Sequence, residues 1–219
     1  MRQNKFSSLD SKVYNESTTL FSVFKEHFGV SINLARIRMI SFLISSLCKV
    51  KTVNYERLAI AFDTKSDKDS SLRRIQRFFA HYVLDFDLIS KLIFKLIPKD
   101  ERVGLCLDRT NWKFGQTNIN ILALGVVYQG ISFPLLFKML PKQGNSNTKE
   151  RINLMNKYDK LFGFETVDFL VADREFIGSE WLDYLTLNKV TYHIRIRDNF
   201  NVILAKNGTK VSYLALQQP

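Results

Sequence analysis

Two short stretches of the chain share one form: an apolar run, then an aspartate, then an arginine. They are "LCLDRT", whose run ends at Asp108, and "LVADRE", whose run ends at Asp173, 65 residues further on. Two carboxylates brought close together repel and raise each other's pKa unless a cation lies between them. Hard oxygen donors of this kind suit Mg²⁺ or Mn²⁺. Ions so held activate water or a 3′-hydroxyl and stabilise the leaving oxygen in phosphodiester chemistry. Taken singly, either aspartate also reads as a turn cap, with Arg109 and Arg174 paired to carboxylates. The duplicated setting favours a joint metal-binding role. Glu175, two residues past Asp173, reads as a surface or turn acid.

For that chemistry both acids must stand at one edge of one sheet. Val103, Leu105 and Leu107 alternate with smaller residues, which predicts a strand ending at Asp108. Val167–Ala172 is a second apolar strand, ending on Asp173. If the two are neighbours, both carboxylates leave at their C-terminal ends, where open α/β sheets place their ligands. Between them "TNINILALGVVYQGISFPLLFKML" predicts a β-hairpin, with strands over about 117–128 and 131–140 and its turn at Gln129-Gly130. The loop "PKQGNSNTKE" follows, then a helix over about 148–162 with Ile152, Met155 and Leu161 on its buried side. "GSEWLDYLTLNK" is a further helix, and "VTYHIRIRD" alternates as a closing strand. The order is β-β-β-α-β-α-β, an antiparallel hairpin beside βαβ crossovers, hence an α/β class with a mixed sheet.

The part before residue 98 is helical, and the polar joint "IPKDERVG" (97–104) marks the expected boundary between regions 1–98 and 102–219. "NLARIRMISFLISSLCKV" predicts a well-buried helix over about 34–49. A shorter helix follows over 54–62, with Asn54 as N-cap. After the turn residues "DTKSDKDSS", "SLRRIQRFFAHYVL" resumes a helix with Leu72, Ile75, Phe79 and Tyr82 on one face and Arg73, Arg74 and Arg77 on the other. This outlines a helix-turn-helix-like unit over about 54–84 whose arginines suit DNA phosphates. The alternative is an ordinary solvated amphipathic helix.

Composition agrees with a folded, polyanion-binding chain. The 219 residues are 46% hydrophobic and 24% charged, with net charge +11. Residues 1–100 hold 17 Lys and Arg against 10 acids, and residues 101–219 hold 15 against 11. Such a balance points to nucleic acid before other partners. No apolar stretch reaches the roughly 20 residues a membrane span needs, and "MRQNKFSSLD" lacks the apolar core of a signal peptide. Cys48 and Cys106 lie far apart among apolar residues and predict buried free thiols in a reducing cytosol.

The element order, with acids after the first and fourth strands, resembles the ribonuclease H-like fold. More narrowly, "LDRTNWKFGQTNINILALGVVYQG", "PKQGNSNTKE" and "FLVADREFIG" resemble insertion-sequence DDE transposases, in the branch whose third acid lies in a Tyr-x2-Arg-x3-Glu-x6-Lys signature. The resemblance covers about Arg102 to Asp198. It implies that Asp108 and Asp173 are catalytic metal ligands, with Mg²⁺ or Mn²⁺ as cofactor. It implies metal-dependent cutting of transposon ends and strand transfer into target DNA by a homodimer on DNA, in the bacterial cytoplasm at the nucleoid. The DNA contacts would come from Arg73, Arg74, Arg77, Arg109 and Arg174. The one spacing match to the signature, Tyr192, Arg195, Asn199 and Lys206, carries an amide where the glutamate belongs and falls on the alternating strand. It therefore reads as coincidence. The expectation is an N-terminal DNA-binding region plus an incomplete transposase core, C-terminally truncated, with impaired chemistry. The alternatives are a DNA-binding inhibitor of full-length transposase, or a metal-dependent nuclease of the same fold that uses Glu175 or Asp198 as third ligand.

Overall fold

The computed structural model describes residues 18–62, 64, 66–98 and 101–196, and the backbone of 201–203 and 210–212. Chain contacts divide it into two units, residues 1–88 and 89–219.

In the first unit, helix α1 runs through residues 18–28. It is followed by α2 (Leu34–Val50), α3 (Tyr55–Ile60) and α4 (Lys68–His81). Each later helix starts on a side-chain cap: Asn33 accepts from the Ala35 amide, Asn54 from those of Glu56 and Arg57, and Asp67 from that of Ser70. Helix α2 buries less apolar surface than expected. Of its residues, Ile37 and Met39 are buried along with Ser41, Ser45 and Ser46. Ser41 avoids an unpaired hydroxyl by donating to the Ile37 carbonyl. Cys48, expected inside, is exposed in the last turn, and Cys106 is half-buried.

Met39, Leu58, Ala59, Phe62 and Ile75 form the core of α2, α3 and α4. The buried stripe of α4 is Ser71 and Ile75, with Leu72 and Phe78 packed beside it. Phe79, expected inside, is 48% exposed and stacks on Tyr55, while Tyr82 lies past the helix end as its C-cap. At about 100° per residue, Arg73 and Arg77 fall on the side of α4 opposite Ile75, and Arg74 falls at the flank. Accordingly Arg73 and Arg77 are exposed and Arg74 is half-buried.

The division between Leu88 and Ile89 lies within α5 (Phe86–Leu96), ahead of the joint expected at 97–104. The cause is packing. Ile93, Phe94 and Ile97 join the core of the second unit, the Phe94 ring stacks on Phe162 at 4.4 Å, and the Ser90 hydroxyl donates to the Leu135 carbonyl.

The second unit is the expected mixed α/β fold. Its elements are β1 (Val103–Phe114), β2 (Thr117–Tyr128), β3 (Ile131–Met139), α6 (Thr148–Phe162), β4 (Val167–Ala172), α7 (Ser179–Leu187) and β5 (Tyr192–Ile194). They form one sheet in the order β3-β2-β1-β4-β5. The pairs β1–β2 and β2–β3 are antiparallel, while β1–β4 and β4–β5 are parallel. The turn between β2 and β3 places Gln129 and Gly130 at φ 50° and 76°, the conformation a two-residue hairpin loop demands. Pro134 sits on the edge strand β3 beside a register shift at Leu124/Gly125, where its missing donor costs no ladder bond.

Leu105, Leu107, Leu122, Leu124 and Leu170 are at most 1% exposed on the face that α6 and α7 cover. Each such side chain contributes about 1.5–3 kcal/mol on burial. On α6 the buried side is Arg151, Leu154, Met155 and Tyr158; of the expected set only Met155 is fully inside, with Ile152 and Leu161 packed at the margin. Strand β5 is shorter than the alternation of "VTYHIRIRD" implied. A further pair, β6 (Asn201–Ile203) with β7 (Lys210–Ser212), forms a separate antiparallel ribbon.

Candidate active site

Strand β1 does not end at Asp108 as expected. It continues six residues to Phe114, because β2 remains paired with it to Phe114↔Thr117. What ends near Asp108 is the pairing with β4, whose last partners are Leu107 and Ala172. The next positions of the two parallel strands are Asp108 and Asp173. Strands in a sheet lie about 4.8 Å apart, so the register brings the aspartates side by side at the edge of the β1–β4 pair. Directly paired residues share a face, and the acids follow Cys106 and Val171 on the face opposite Leu105 and Leu170.

Both aspartates are exposed. Asp108 Oδ1 accepts from the Arg109 backbone amide at 2.7 Å. Asp173 faces Arg195 at 3.9 Å, with 55% of its side chain exposed. A donor set of two adjacent carboxylates open to water fits Mg²⁺ or Mn²⁺, since Mg²⁺ keeps several waters and is held by one or two carboxylates plus substrate phosphate oxygens. Asp108 and Asp173 would be the residues to hold such an ion. Among the described residues no group of three or more His, Cys, Asp or Glu is close enough to hold a metal, so the described residues place no third acid at this edge. Tyr192 of the signature match lies in β5, and Asn199, Lys206 and Asp198 lie outside the described residues.

Behind the pair stands a polar clamp that sequence reasoning missed. Arg109 Nε and Nη2 donate to the two carboxylate oxygens of Glu175 at 2.8 and 2.9 Å. Its Nη1 reaches Asn120 Oδ1 at 3.4 Å and its Nη2 reaches Asn145 Oδ1 at 3.1 Å. The Glu175 hydrogen bonds raise the Arg109 pKa further; partial burial opposes this, and the charges of Glu175 and Asp108 support it. The guanidinium that the sequence placed on DNA is thus engaged within the protein, and Glu175 is its ion-pair partner, where the sequence reading made it a surface or turn acid. Arg174, between the two acids, is exposed.

A second buried cation completes the support. Arg151, 5% exposed, donates to the Ser146 hydroxyl and carbonyl at 2.9 and 2.7 Å and to the Glu175 carbonyl at 3.0 Å. Its guanidinium also lies over the Phe176 ring, 5.1 Å from the centroid. Burial pushes the Arg151 pKa down, and the nearby charges of Glu175 and Glu150 oppose that fall. Asn120, 1% exposed, donates to the Lys142 and Gly144 carbonyls at 3.0 Å each, pinning the 141–147 loop. Asn147 and Glu150 then close a reciprocal cap on α6. Arg109, Glu175 and Arg151 therefore tie β1, the segment after Asp173 and α6 into one unit that holds the acid edge in place. The only signal in the sequence was the repeated Asp-Arg form, and it did not say which acid each arginine meets.

No protein-family model and no curated protein sequence matches the chain. In structure it is similar to the catalytic core domain of HTLV-2 integrase in complex with magnesium (dimeric form), with 14% identity, 47% of this chain and 64% of that chain covered, and a TM-score of 0.34. It is also similar to a chain of the simian T-cell lymphotropic virus intasome in complex with the PP2A regulatory subunit B56 gamma, with 9% identity, 54% and 46% covered, and a TM-score of 0.37. The chain spans less than two thirds of the length of either of these matched chains.

Proposed function

We propose that the chain is a DDE-type polynucleotidyl transferase of the insertion-sequence transposase kind, acting on transposon ends and target DNA as a homodimer. The observation that carries this reading is the parallel β1–β4 register, which sets Asp108 beside Asp173 at one sheet edge. A bound Mg²⁺ or Mn²⁺ would supply a polarised phosphate and an activated water or 3′-hydroxyl. The protein's own part is to hold the two carboxylates and to orient the loop after β4 through Glu175. Arg174 meets phosphate oxygens at the edge. Arg73 and Arg77, exposed on α4, bind the duplex backbone in the first unit.

The reading is tested by calorimetric titration of Mg²⁺ and Mn²⁺, paired with a gel-shift series on duplex DNA at rising salt. Weak metal binding that disappears in both Asp108→Asn and Asp173→Asn, with DNA affinity falling steeply as salt rises, supports it. Metal binding untouched by either substitution overturns it. A second reading, a DNA-binding inhibitor of an intact transposase, is favoured by the absence of a third acid at the edge among the described residues. Unchanged transposition on co-expression with an intact relative overturns that one.

A further inference from the structure

The tip of the β1–β2 hairpin, residues 112–117, adds nothing to the core of the second unit. From Trp112 to Thr117 every residue is exposed. Trp112 is 46% and Phe114 77% exposed. Exposed rings of this size cost hydration free energy that a monomer ordinarily avoids.

Their placement follows from strand period. Asp108, Thr110, Trp112 and Phe114 alternate along β1 and so share one face, with Ile121, Ile119 and Thr117 opposite the last three on β2. At roughly 3.4 Å per residue, Trp112 stands about 14 Å and Phe114 about 20 Å beyond the acid along the strand. The intervening Asn111 and Lys113 point to the other face, paired with Asn120 and Asn118.

The charge of this region has one sign. From residue 109 to residue 149 there is no Asp or Glu, while Arg109, Lys113, Lys138, Lys142 and Lys149 are cationic. Arg109 and Lys142 are paired with Glu175 and Glu150 from outside the segment. Lys113, at the hairpin end, has no ion-pair partner among the described residues. Exposed aromatic rings on one face of a hairpin tip whose other face carries an unpaired lysine, with no acid in the tip, are the composition of a single-strand nucleic-acid platform, where bases stack on rings and phosphates meet lysine.

We infer that the projecting end of the β1–β2 hairpin is a binding platform for unpaired DNA next to the acid edge, with bases stacking on Trp112 and Phe114 on the aspartate's face and the phosphate backbone passing round the β1 edge, where pairing with β4 stops at Leu107, to Lys113 on the other face. This rests on the polynucleotidyl-transfer reading above. It adds that the site takes DNA with an unpaired segment, and that the strand carrying the reacting phosphate runs outward along the hairpin.

The protein carries its own probe. It has two tryptophans, Trp112 and the fully buried Trp181. Titrating the full chain with oligothymidine should quench the Trp112 emission, and Trp112→Phe should abolish the quenching. Trp112→Ala and Phe114→Ala should each weaken single-strand binding by roughly 5- to 150-fold, measured by anisotropy of labelled DNA. Both should weaken blunt duplex binding much less. Circular dichroism and the buried Trp181 emission check that the variants fold. If labelled single strands bind but neither the emission nor the affinity of the variants changes, the platform is refuted while the DNA reading stands. If the variants alter only the sedimentation of the protein, the hairpin is a protein contact and the platform is likewise refuted. If neither single-stranded nor duplex DNA binds at all, both readings fall together.

Discussion

Removing the Glu175 side chain leaves Arg109 with a guanidinium that has lost its bidentate partner in a largely closed environment. The two side chains are 21% and 13% exposed and meet through contacts of 2.8 and 2.9 Å. A fully exposed pair contributes about 0.2–1 kcal/mol, and breaking a fully buried pair costs about 3–5 kcal/mol. Residual solvent screening discounts the upper figure, so this bidentate pair should couple by about 2 kcal/mol. A double-mutant cycle of Arg109→Ala and Glu175→Ala isolates that term, because each single variant removes the same two bonds. Both tryptophans belong to the second unit, so urea unfolding followed by tryptophan emission reads that unit without interference from the first. A loss of this size lowers the midpoint by roughly 6–8 °C in a thermal scan. A coupling below about 0.5 kcal/mol would show that the pair is held by its surroundings and not the reverse. The same variants decide the chemical role of Glu175. Glu175→Gln should leave metal affinity nearly intact in a chain that is less stable. If it abolished metal binding as fully as Asp173→Asn without loss of stability, Glu175 would be the third ligand and the clamp would be wrong.

Three further outcomes are expected. Asp108→Asn or Asp173→Asn should slightly raise the melting temperature in EDTA, by relieving repulsion between adjacent carboxylates, and should remove any rise on adding Mg²⁺; a fall in EDTA for both would contradict the shared edge. Arg73→Ala and Arg77→Ala should each lower the slope of log affinity against log salt by about 0.9 on duplex DNA, and unchanged slopes would leave α4 as a plain solvated helix. In pH titrations, burial pushes Tyr158 and Tyr184 up to about 12, with the Thr166 hydroxyl opposing at Tyr158 and the charges of Glu165 and Asp159 adding. Raised folded values mean stability that is full below the unfolded value near 10 and lost as pH rises towards 12. Absorbance should therefore show two of the eight tyrosines ionising late, coincident with unfolding of the second unit.

What the sequence determined alone is local. The alternation Val103, Leu105, Leu107 and the run Val167–Ala172 specify strands whose inner residues are buried as expected. Asn54 caps α3, and Gln129-Gly130 turns the hairpin. These depend on neighbours a few positions away, so side-chain period and turn chemistry suffice to read them. The acid edge needed one more fact, the parallel register of β1 against β4. Periodicity requires that Asp108 and Asp173 follow apolar strands, but it does not require those strands to be adjacent or aligned at Leu107 and Ala172. The clamp was further out of reach. Arg109 meets Glu175 across 66 positions, and Arg151 enters the core because Ser146 and the Glu175 carbonyl satisfy it there. A sequence pattern reads Arg151 as a surface residue, since a buried charge is tolerated only where partners from distant segments converge on it. The same holds for the outer half of β1. Nothing in "RTNWKF" says it stays in a strand; β2 pairing decides that, and so decides that Trp112 and Phe114 stand on the aspartate's face.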